Sequence, residues 1–506
     1  MSVPASLHAP AGVYLALAAL TVAMFLTGSG TRTGRRRPVP APRRSSSARP
    51  KCRPRARVRP AVPATARWAT RSDLAPLRQR RPEAGRLVLG RAKGVLLATE
   101  SRHSVLVIGP TQSGKTTGLA IPAILEWAGP VLATSVKDDL ARGSLAWRRG
   151  LGRCWIFDPT GTSGLRGAST WSPLVETTTW SAAQRMASWL VESTPNRSSL
   201  SDGAFWLAAA AKLLAPLLLA ARLSGATMAD VVRWNNQSDL GQAGAILEDF
   251  EEEGAAVALE ACASRDERLR SSISTTLETV LAPFEDPAVG AATSGAEIDV
   301  RALLSGENTL YLCGPSHEQA RVQGLFATLV STVVAAAVER SAYAGGPLQP
   351  PLLVVLDEAA NIAPLRDLDT LASTAAGHGI QLVTVCQDLS QLGARYGEAR
   401  ARAVANNHRA KVVLSGVGDL TTLELISGLA GEVAQREESV TSDLRDGRRT
   451  RTTGVAHRRL APAAGLRGIR PGEGLLLYGH LPAARLALRP WYSDRELRRR
   501  VEGCRL

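Results

Sequence analysis

The segment Gly109-Pro110-Thr111-Gln112-Ser113-Gly114-Lys115-Thr116 has residue types and a spacing that could bind phosphate groups. It matches the pattern G-x-x-x-x-G-K-[ST], follows the apolar run 104–108 and precedes a predicted helix, 117–127, whose first residue is Thr117. Two glycines let the backbone curl so that N–H groups point at phosphate oxygens, aided by the positive N-terminus of the helix. Lys115 would reach the β- and γ-phosphates and Thr116 would bind Mg²⁺. The sequence therefore predicts a nucleoside triphosphate site.

Two acidic residues at the end of an aliphatic run extend this site. The run 352–356 predicts a strand buried on both faces of a parallel sheet, and Asp357 and Glu358 follow it directly. Because open α/β sheets bind ligands at the carboxyl ends of their strands, these side chains should lie beside the phosphate-binding segment. We expect Asp357 to bind Mg²⁺ through water and Glu358 to orient or activate the attacking water molecule.

A polar residue ends a further predicted strand. The run 380–385 leads through Cys386 to Gln387, whose amide could donate to a γ-phosphate or accept from a water molecule. A solvated cap at a strand end is the alternative, and the residue type alone does not separate the two interpretations. Gln387 is therefore a candidate phosphate sensor.

The elements that position these residues alternate as in an α/β fold. Strands alternating with helices predict a mostly parallel sheet with helices on both faces. The Ala- and Leu-rich block 181–283 predicts a separate all-α subdomain. The Arg-, Ser- and Gly-rich stretch 436–470 predicts a mobile basic loop that either contacts DNA or is a solvated insertion. The other candidate strands are 131–133, 155–157, 309–312, 411–414 and 475–478.

Composition sets broad limits. A chain of 506 residues with a 45% hydrophobic fraction can bury a sizeable core and is too long for one small domain. Six cysteines without a C-x-x-C pair argue against zinc and a disulfide framework, which favours a reducing cytoplasm. The net charge is +16, but thirteen basic and no acidic residues lie in 32–67, so the remainder is nearly neutral. Global charge is thus weak evidence for DNA binding.

The N-terminal region predicts a membrane anchor. The apolar run 11–27 precedes the Arg-rich stretch, which favours an orientation with the N-terminus outside and the basic flank in the cytoplasm. Such a run reaches about 25 Å, short of a hydrocarbon core of about 30 Å, so the span is marginal. A cleaved secretory signal is the alternative, but no Lys or Arg precedes the run. Stretch 32–67 predicts an extended, disordered linker, which could also touch DNA phosphates nonspecifically.

From about residue 87 to residue 492 the sequence resembles type IV secretion system coupling proteins, the TraG/TraD class of conjugative DNA transfer ATPases, in an actinobacterial style. The phosphate-binding segment and the run that contains Asp357 and Glu358 carry most of this resemblance. The matching segments are Leu89-Gly90-Arg91, 107–119, 356–365, Gly377-His378-Gly379-Ile380, 387–392 and Tyr396-Gly397.

The resemblance implies a RecA-like P-loop NTPase that carries an all-α subdomain, is anchored at the inner membrane and assembles as a homohexamer. The single apolar run 11–27 predicts that the anchor is a single pass. It implies an ATP hydrolase with Mg²⁺ that moves DNA, as a relaxase-bound strand, toward secretion channel proteins, and it favours the sensor role of Gln387. Ring ATPases of this kind often take an arginine from the neighbouring subunit. Arg409 is the candidate here, the alternative being an ion pair with a surface carboxylate.

The resemblance also implies a division of the chain. The expected parts are an anchor, 1–30; a linker, 31–70; the P-loop half of the ATPase domain, 71–180; the all-α subdomain, 181–290; the second ATPase part, 291–492, with its basic loop; and a basic tail, 493–506.

Two departures and two alternative functions stay open. Many relatives have an Asp-Pro-Lys-Gly-Glu-like segment where this chain has Ser135-Val136-Lys137-Asp138-Asp139, which leaves the role of Lys137 open. Relatives often carry two N-terminal membrane helices, whereas one apolar segment is found here. The alternatives are an FtsK-like or HerA-like pump for double-stranded DNA, disfavoured by the short Arg-rich tail, and a docking receptor in which nucleotide gates cargo binding.

Overall fold

The computed structural model describes residues 66–193, 203–315, 317–442 and 449–503. The predicted anchor and nearly all of the predicted linker lie outside these residues, as do the last three residues of the predicted basic tail.

A twelve-stranded sheet organises the described part of the chain. Its strand order is β1-β3-β2-β14-β13-β10-β4-β9-β8-β5-β7-β6, and β11 and β12 form a separate two-stranded sheet. The strands are β1 Arg78–Gln79, β2 Val88–Ala92, β3 Val95–Ala98, β4 Val105–Ile108, β5 Val131–Ser135, β6 Cys154–Phe157, β7 Thr309–Cys313, β8 Leu352–Leu356, β9 Ile380–Cys386, β10 Ala410–Leu414, β11 Glu432–Ser442, β12 Arg449–Arg459, β13 Glu473–Tyr478 and β14 Ala484–Ala487.

Seven of these strands form the parallel part of the sheet. Six parallel pairings connect β10, β4, β9, β8, β5, β7 and β6 in that order. Side chains alternate between two apolar layers, so that Leu106 and Ile108 enter one layer and Val105 and Val107 the other. Burial on both faces explains why these strands are continuous aliphatic runs. The predicted mostly parallel sheet is confirmed.

An antiparallel extension continues the sheet beyond β10. Strand β13 pairs antiparallel with β10, and β14, β2, β3 and β1 follow with antiparallel pairings. Among these strands the sequence predicted only β13. The others are short and interrupted by glycine or charge, as in the segment Leu89-Gly90-Arg91, so their apolar pattern is weak.

Helices cover both faces of the sheet. They are α1 Ile121–Glu126, α2 Asp139–Arg149, α3 Trp180–Glu192, α4 Gly203–Ser224, α5 Met228–Asn236, α6 Leu240–Asp249, α7 Glu253–Ala263, α8 Glu267–Leu281, α9 Pro287–Ala292, α10 Val300–Leu303, α11 Gln319–Tyr343, α12 Leu368–Thr374, α13 Leu389–Tyr396, α14 Glu398–Asn407, α15 Leu420–Ala430, α16 Ala463–Arg467 and α17 Arg495–Glu502. Short 3₁₀ turns are Ala75–Leu77, Pro173–Glu176, Ala282–Glu285 and Ala375–His378, and a π-helical turn, Thr116–Ala120, leads into α1.

The predicted all-α block forms helices α3 to α9, but its core is not separate. Met186 of α3 and Leu213 and Leu277 of the following helices belong to the same buried apolar cluster as Leu106 and Ile108 of the sheet. Helix α4 lies at the centre of the block and packs on α3, α7 and α8. The block therefore packs against the sheet through one continuous core, and its division from the rest as a subdomain stays a prediction.

Two helices of the described residues are long and apolar enough to cross a membrane. They are Gly203–Ser224 and Gln319–Tyr343, and 61% of the apolar window of each is buried inside the protein. Their apolar side chains belong to the core shared by the block and the sheet. Burial of this kind is typical of the central helices of a folded domain.

The stretch 436–470 is not a loop as predicted. It contains most of the antiparallel hairpin of β11 and β12, followed by α16. Cross-strand ion pairs, such as that of Arg458 with Glu437 at 2.5 Å, lie on the hairpin. Its strands are rich in charged and polar residues, so they lack the apolar alternation that marks a half-buried strand.

Most of the predicted basic tail forms helix α17. Asp494 caps the helix by accepting from the backbone N–H groups of Glu496 and Leu497. Leu497 and Val501 are buried against the layer that contains the helix after the phosphate-binding segment. The four arginines of the tail that the structure describes therefore lie on a helix packed against the folded domain: Arg495, Arg498, Arg499 and Arg500.

Candidate functional site

The phosphate-binding segment lies at the carboxyl edge of the parallel strands. It follows β4, whose last residue, Ile108, is in register with Cys386 of the neighbouring β9. The backbone N–H of Gly109 donates to the carbonyl of Cys386 at 3.2 Å, which fixes the start of the loop against β9. Gln112 and Gly114 have positive φ angles of 63° and 90°, so the loop turns through the left-handed region twice.

Close packing explains the first glycine of the motif. A Cβ atom at Gly109 would lie 2.6 Å from Ser113 Oγ and 3.0 Å from Leu414 Cβ, so a larger residue would displace the loop. Ser113 Oγ is buried and has no hydrogen-bond partner among the described residues. A buried hydroxyl without a partner is costly unless a ligand satisfies it. The curled backbone and this free hydroxyl fit a bound phosphate chain.

Lys115 is held inside the loop by backbone carbonyls. Its Nζ donates to Gly109 O at 2.6 Å and to Pro110 O at 2.7 Å, and the residue is 6% exposed. Burial lowers the pKa of this ammonium, while the charges of Asp357 and Glu358 oppose that shift. A buried cation with only neutral acceptors is poised to exchange them for an anion, since charge-assisted hydrogen bonds are the stronger ones.

Thr116 and Asp357 meet across the strand ends. Thr116 Oγ1 donates to Asp357 Oδ2 at 3.2 Å, although the two residues are 241 positions apart in the chain. Burial, with a smaller effect of the Glu358 charge, raises the pKa of Asp357 to about 6. A hydroxyl and a carboxylate in contact are the oxygen ligands that Mg²⁺ prefers. The structure therefore brings together the two residues predicted to hold the metal.

Glu358 stands in a strained backbone conformation beside them. Its φ angle is 57°, in the left-handed region that residues other than glycine rarely adopt. Asn361 Nδ2 donates to Glu358 Oε2 at 3.2 Å, which orients the carboxylate. Asn361 lies in the segment 356–365 that carries the family resemblance, but the sequence did not predict a role for it. The hydrogen bond indicates that it positions Glu358.

Gln387 lies at the same edge as the phosphate-binding loop. It directly follows β9, which runs between β4 and β8, and it is half-buried. Its backbone N–H donates to Gln391 Oε1 at 3.1 Å, while Asp388 caps helix α13. The strand order thus places Gln387 between the loop and the acidic pair, and its sensor role stays a prediction.

The remaining loop residues lie around this centre. Thr111 and Gln112 are exposed at the tip of the loop, and Pro110 lies close to Gly416 in the turn after β10. Thr117 is the second residue of the helical turn, and its carbonyl accepts from the backbone N–H of Trp491 at 3.0 Å. Lys137 is exposed just beyond the carboxyl end of β5, at the same edge of the sheet, and its role stays open.

The structure does not bring Arg409 to this site. Arg409 immediately precedes β10, whose first residue, Ala410, is in register with Val105 at the start of β4. It therefore lies at the amino edge of the parallel strands, opposite the loop. Its Nε is 3.9 Å from Glu100 Oε2, and its guanidinium lies 5.9 Å from the centre of the Tyr478 ring. These contacts agree with the alternative interpretation, an ion pair with a surface carboxylate.

A C-terminal segment, 488–494, packs behind the loop, and the sequence did not predict this contact. Leu488 packs where a Cβ on Gly118 would lie 3.1 Å from its Cδ1 atom. Arg489 is buried in ion pairs with Glu126 at the end of α1 and with Asp494, each at 3.0 Å. The pair of Arg489 with Glu126 joins residues 363 positions apart in the chain. No local sequence signal marks such a contact.

Fold and site together define a class of protein. Parallel strands that end in a phosphate-binding loop and an acidic pair, with a polar residue at the end of the strand between them, are the arrangement of a RecA-like P-loop NTPase. The sequence model of the family described as "Type IV secretory system Conjugative DNA transfer" matches residues 67–503. The chain belongs to this family, and the predicted resemblance is confirmed.

Similar proteins include conjugation and secretion components. The chain is 25% identical over 433 residues to the conjugal transfer protein TraG of Escherichia coli, a match that covers 76% of this chain and 66% of TraG. It is 25% identical over 425 residues to the protein VirD4 of Agrobacterium fabrum, covering 80% of this chain and 60% of VirD4. The chain thus spans less than two thirds of the length of these relatives.

Solved structures support the fold. The bacterial conjugative coupling protein TrwB, lacking its N-terminal segment, matches with a TM-score of 0.64 and 18% identity, over 84% of this chain and 92% of that chain. A complex of TrwB with ADP and Mg²⁺ matches with a TM-score of 0.62 and 18% identity, over 84% of this chain and 93% of that chain.

Proposed function

We propose that this protein binds ATP with Mg²⁺ at the phosphate-binding loop and couples ATP hydrolysis to DNA transfer in conjugation or type IV secretion. The observation that carries the proposal is the contact of Thr116 with Asp357 beside the buried Lys115. This contact unites two motifs that are distant in sequence at the ligand-binding edge of the sheet. Membership of the conjugative DNA transfer family supplies the class of cargo.

The residues of the site divide the chemical tasks. The loop from Gly109 to Thr117 presents backbone N–H groups to the phosphate chain, and Lys115 neutralises its charge. Thr116 and Asp357 would hold Mg²⁺, which supplies Lewis-acid stabilisation of the phosphate oxygens when bound. Glu358, oriented by Asn361, positions or deprotonates the attacking water molecule.

Gln387 completes the site as a sensor in this proposal. This role is supported by the position of Gln387 directly after β9, the strand that lies between β4 and β8 in the sheet. An amide can donate to a phosphate oxygen and accept from a water molecule at once. Loss of the terminal phosphate would remove the first of these partners, so Gln387 would report hydrolysis to helix α13.

Nucleotide binding by relatives supports the choice of ligand. TrwB has been solved with ADP and Mg²⁺, with an ATP analogue and with a GTP analogue. In this chain the Ser113 hydroxyl has no partner among the described residues, and a residue larger than Gly109 would displace the loop. Both features fit the same kind of ligand. We therefore extend nucleotide binding to this protein.

The larger assembly belongs to the same proposal. We infer a homohexamer anchored by a single pass in the inner membrane, with the ATPase body in the cytoplasm, receiving a relaxase-bound DNA strand for channel proteins. The apolar run 11–27 and its Arg-rich flank support the anchor. Arg409 acting in a neighbouring subunit stays a prediction, and its position opposite its own loop requires that any such role be exerted on another copy.

Steady-state ATP hydrolysis of the full chain, with and without single-stranded and double-stranded DNA, tests the function. We expect DNA to stimulate turnover, and we expect Lys115→Ala and Glu358→Gln to abolish the stimulated rate. Tight nucleotide binding without DNA-dependent turnover, at concentrations that assemble rings, would contradict a motor. That result would favour the nucleotide-gated docking receptor, which should keep its cargo binding in Glu358→Gln.

A further inference from the structure

Residues 488–494, here called the C-terminal strap, lie along the first turn of the helix that follows the phosphate-binding loop. Trp491 donates its backbone N–H to Thr117 O at 3.0 Å. Leu488 packs against two glycines of this region: a Cβ on Gly114 would lie 3.4 Å from its Cδ1 atom, and one on Gly118 3.1 Å from it. The strap thus lies against the loop, and a side chain at Gly118 would displace Leu488, whereas one at Gly114 would meet it at ordinary van der Waals distance.

Buried charge fixes the strap at its position. Arg489 and Glu126 are 7% and 5% exposed at their side chains, and their ion pair at 3.0 Å is extended by Asp494. Asp494 also caps α17, which packs on α1 and α2. Breaking a buried pair of this kind is strongly unfavourable. The strap therefore holds one position next to the loop.

An aromatic pair stands on this fixed strap. Trp491 and Tyr492 meet edge to face, with ring centroids 5.7 Å apart and an interplanar angle of 80°. Trp491 is half-buried and packs against the apolar layer behind the loop. Tyr492 is 52% exposed, so much of its ring stays accessible to a ligand. The edge-to-face contact with the half-buried tryptophan favours one orientation of the exposed tyrosine.

The position of this pair relative to the loop suggests its ligand. Lys115 and Thr116 serve the terminal phosphates, so the ribose and base of a nucleotide must lie outside the loop. Thr117 follows Thr116 directly and is the residue whose carbonyl the strap contacts. Aromatic side chains bind bases by stacking, and they tolerate any base because each has a π-face.

We propose that Tyr492, positioned by Trp491 and the C-terminal strap, stacks on the base of the nucleotide held by the phosphate-binding loop. The inference rests on the nucleotide binding proposed above and adds its base-contacting residue. It assigns affinity for the nucleoside part to a segment remote in sequence from the loop. Stacking of this kind adds affinity with little choice among bases.

Titration calorimetry of the full chain with Mg²⁺ tests this contact, using two probes. The non-hydrolysable ATP analogue ADPNP has a base, and inorganic tripolyphosphate has none. We expect Tyr492→Ala to weaken ADPNP binding about tenfold and to leave tripolyphosphate binding unchanged. Tyr492→Phe should retain the affinity for ADPNP. Tyr343→Ala is the matched control, because Tyr343 is 97% exposed at the end of α11.

The outcomes separate the base contact from the function on which it rests. Unchanged ADPNP affinity in Tyr492→Ala, or equal weakening of both probes, overturns the stacking role, provided that thermal melting shows a folded variant. Weak ADPNP binding by Tyr492→Phe would also overturn it, because the hydroxyl would then carry the effect. If Lys115→Ala loses both probes while Tyr492→Ala loses neither, only the base contact fails. If the wild-type chain binds neither probe, the nucleotide function fails as well.

Discussion

The two edges of the parallel sheet both carry buried polar groups, but the hydrogen-bond partners of these groups differ between the edges. At the carboxyl edge, Ser113 Oγ has no partner among the described residues and Lys115 has only backbone carbonyls. At the amino edge, the Tyr478 hydroxyl contacts His103 Nδ1 at 2.6 Å and accepts from the Glu100 N–H at 2.9 Å. His408 there uses both ring nitrogens, with Thr384 and Val404.

The amino edge is not fully satisfied either, since Gln381 Oε1 there is buried without a partner among the described residues and Lys411 Nζ donates to a backbone carbonyl. What distinguishes the carboxyl edge is that its buried ammonium, Lys115, lies close to the acidic pair Asp357 and Glu358, and that the partnerless Ser113 hydroxyl is in the same loop. A buried polar network whose members satisfy one another stabilises one arrangement of the chain. Polar groups left without a charged partner instead cost free energy until a ligand arrives. We therefore expect substitutions at the carboxyl edge to change nucleotide chemistry and those at the amino edge to change stability.

Lys115→Ala should give the largest effect. Removing the ammonium deletes the main positive charge in the loop, so we expect ATP hydrolysis to fall by about a hundredfold or more. Nucleotide binding, measured by calorimetry, should weaken as well. The matched control is Lys411→Ala at the amino edge, because Lys411 Nζ also donates to a backbone carbonyl, that of His408, at 2.7 Å. Equal loss of hydrolysis in both variants would contradict the distinction between the edges.

Glu358→Gln should separate binding from turnover. The amide keeps the shape of the side chain but cannot accept a proton, so we expect hydrolysis to fall by about a hundredfold or more. Affinity for ADPNP should change little, since Lys115 and Thr116 remain. Glu100→Gln at the amino edge serves as its control and should hydrolyse ATP at the wild-type rate. Full turnover by Glu358→Gln would remove this residue from the mechanism.

His408→Gln should change the pH dependence of stability. Burial lowers the pKa of His408 to about 4 from its ordinary 6.5, so the folded state holds the ring neutral. As pH falls below 6.5 the unfolded chain gains a proton that the folded chain refuses, and stability is lost until the pH is below about 4.

Urea unfolding at pH 7.5 and at pH 5 measures this effect. We expect the wild type to lose about 2 kcal/mol more than His408→Gln between these two values. Lys411 is the charged neighbour that also disfavours protonation of the ring. Parallel losses in the two proteins would show that His408 is not buried in its neutral form.

Tyr478→Phe should give the smallest effect. It removes a hydroxyl that is hydrogen-bonded to the Glu100 N–H and to His103 Nδ1. We therefore expect the free energy of unfolding to fall by about 1 kcal/mol. ATP hydrolysis should stay at the wild-type rate. Tyr343→Phe, at an exposed position, should change neither quantity. A loss of hydrolysis in Tyr478→Phe would show that the amino edge also affects nucleotide chemistry, and it would contradict the distinction between the two edges.

Sequence patterns predicted the parallel strands well because burial on both faces leaves an unbroken aliphatic run. Strand β8 has the predicted bounds Leu352–Leu356, and β9 extends its predicted run by one residue, Cys386. The phosphate-binding loop and the acidic pair could be predicted for the same reason, since each directly follows an aliphatic run. Their contact through Thr116 and Asp357 agrees with the expectation that the carboxyl ends of parallel strands meet.

The missed elements depend on contacts that no local pattern records. Helix α17 buries little more than Leu497 and Val501, so its sequence is mostly charged. The C-terminal strap is fixed by Arg489, whose partner Glu126 belongs to a helix at the other end of the domain sequence. The hairpin of β11 and β12 is polar and charged for most of its length, which removes the alternation that predicts strands.

The core shared by the helical block and the sheet has a consequence for cooperativity. Since Met186 and Leu213 pack in one apolar cluster with Leu106 and Ile108, the block cannot melt without exposing the strands that position the loop. We therefore expect both parts to unfold together, although some 150 residues of chain separate β6 from β7. If so, the long insertion of helices does not unfold separately, and the phosphate-binding loop is as stable as the domain that contains it.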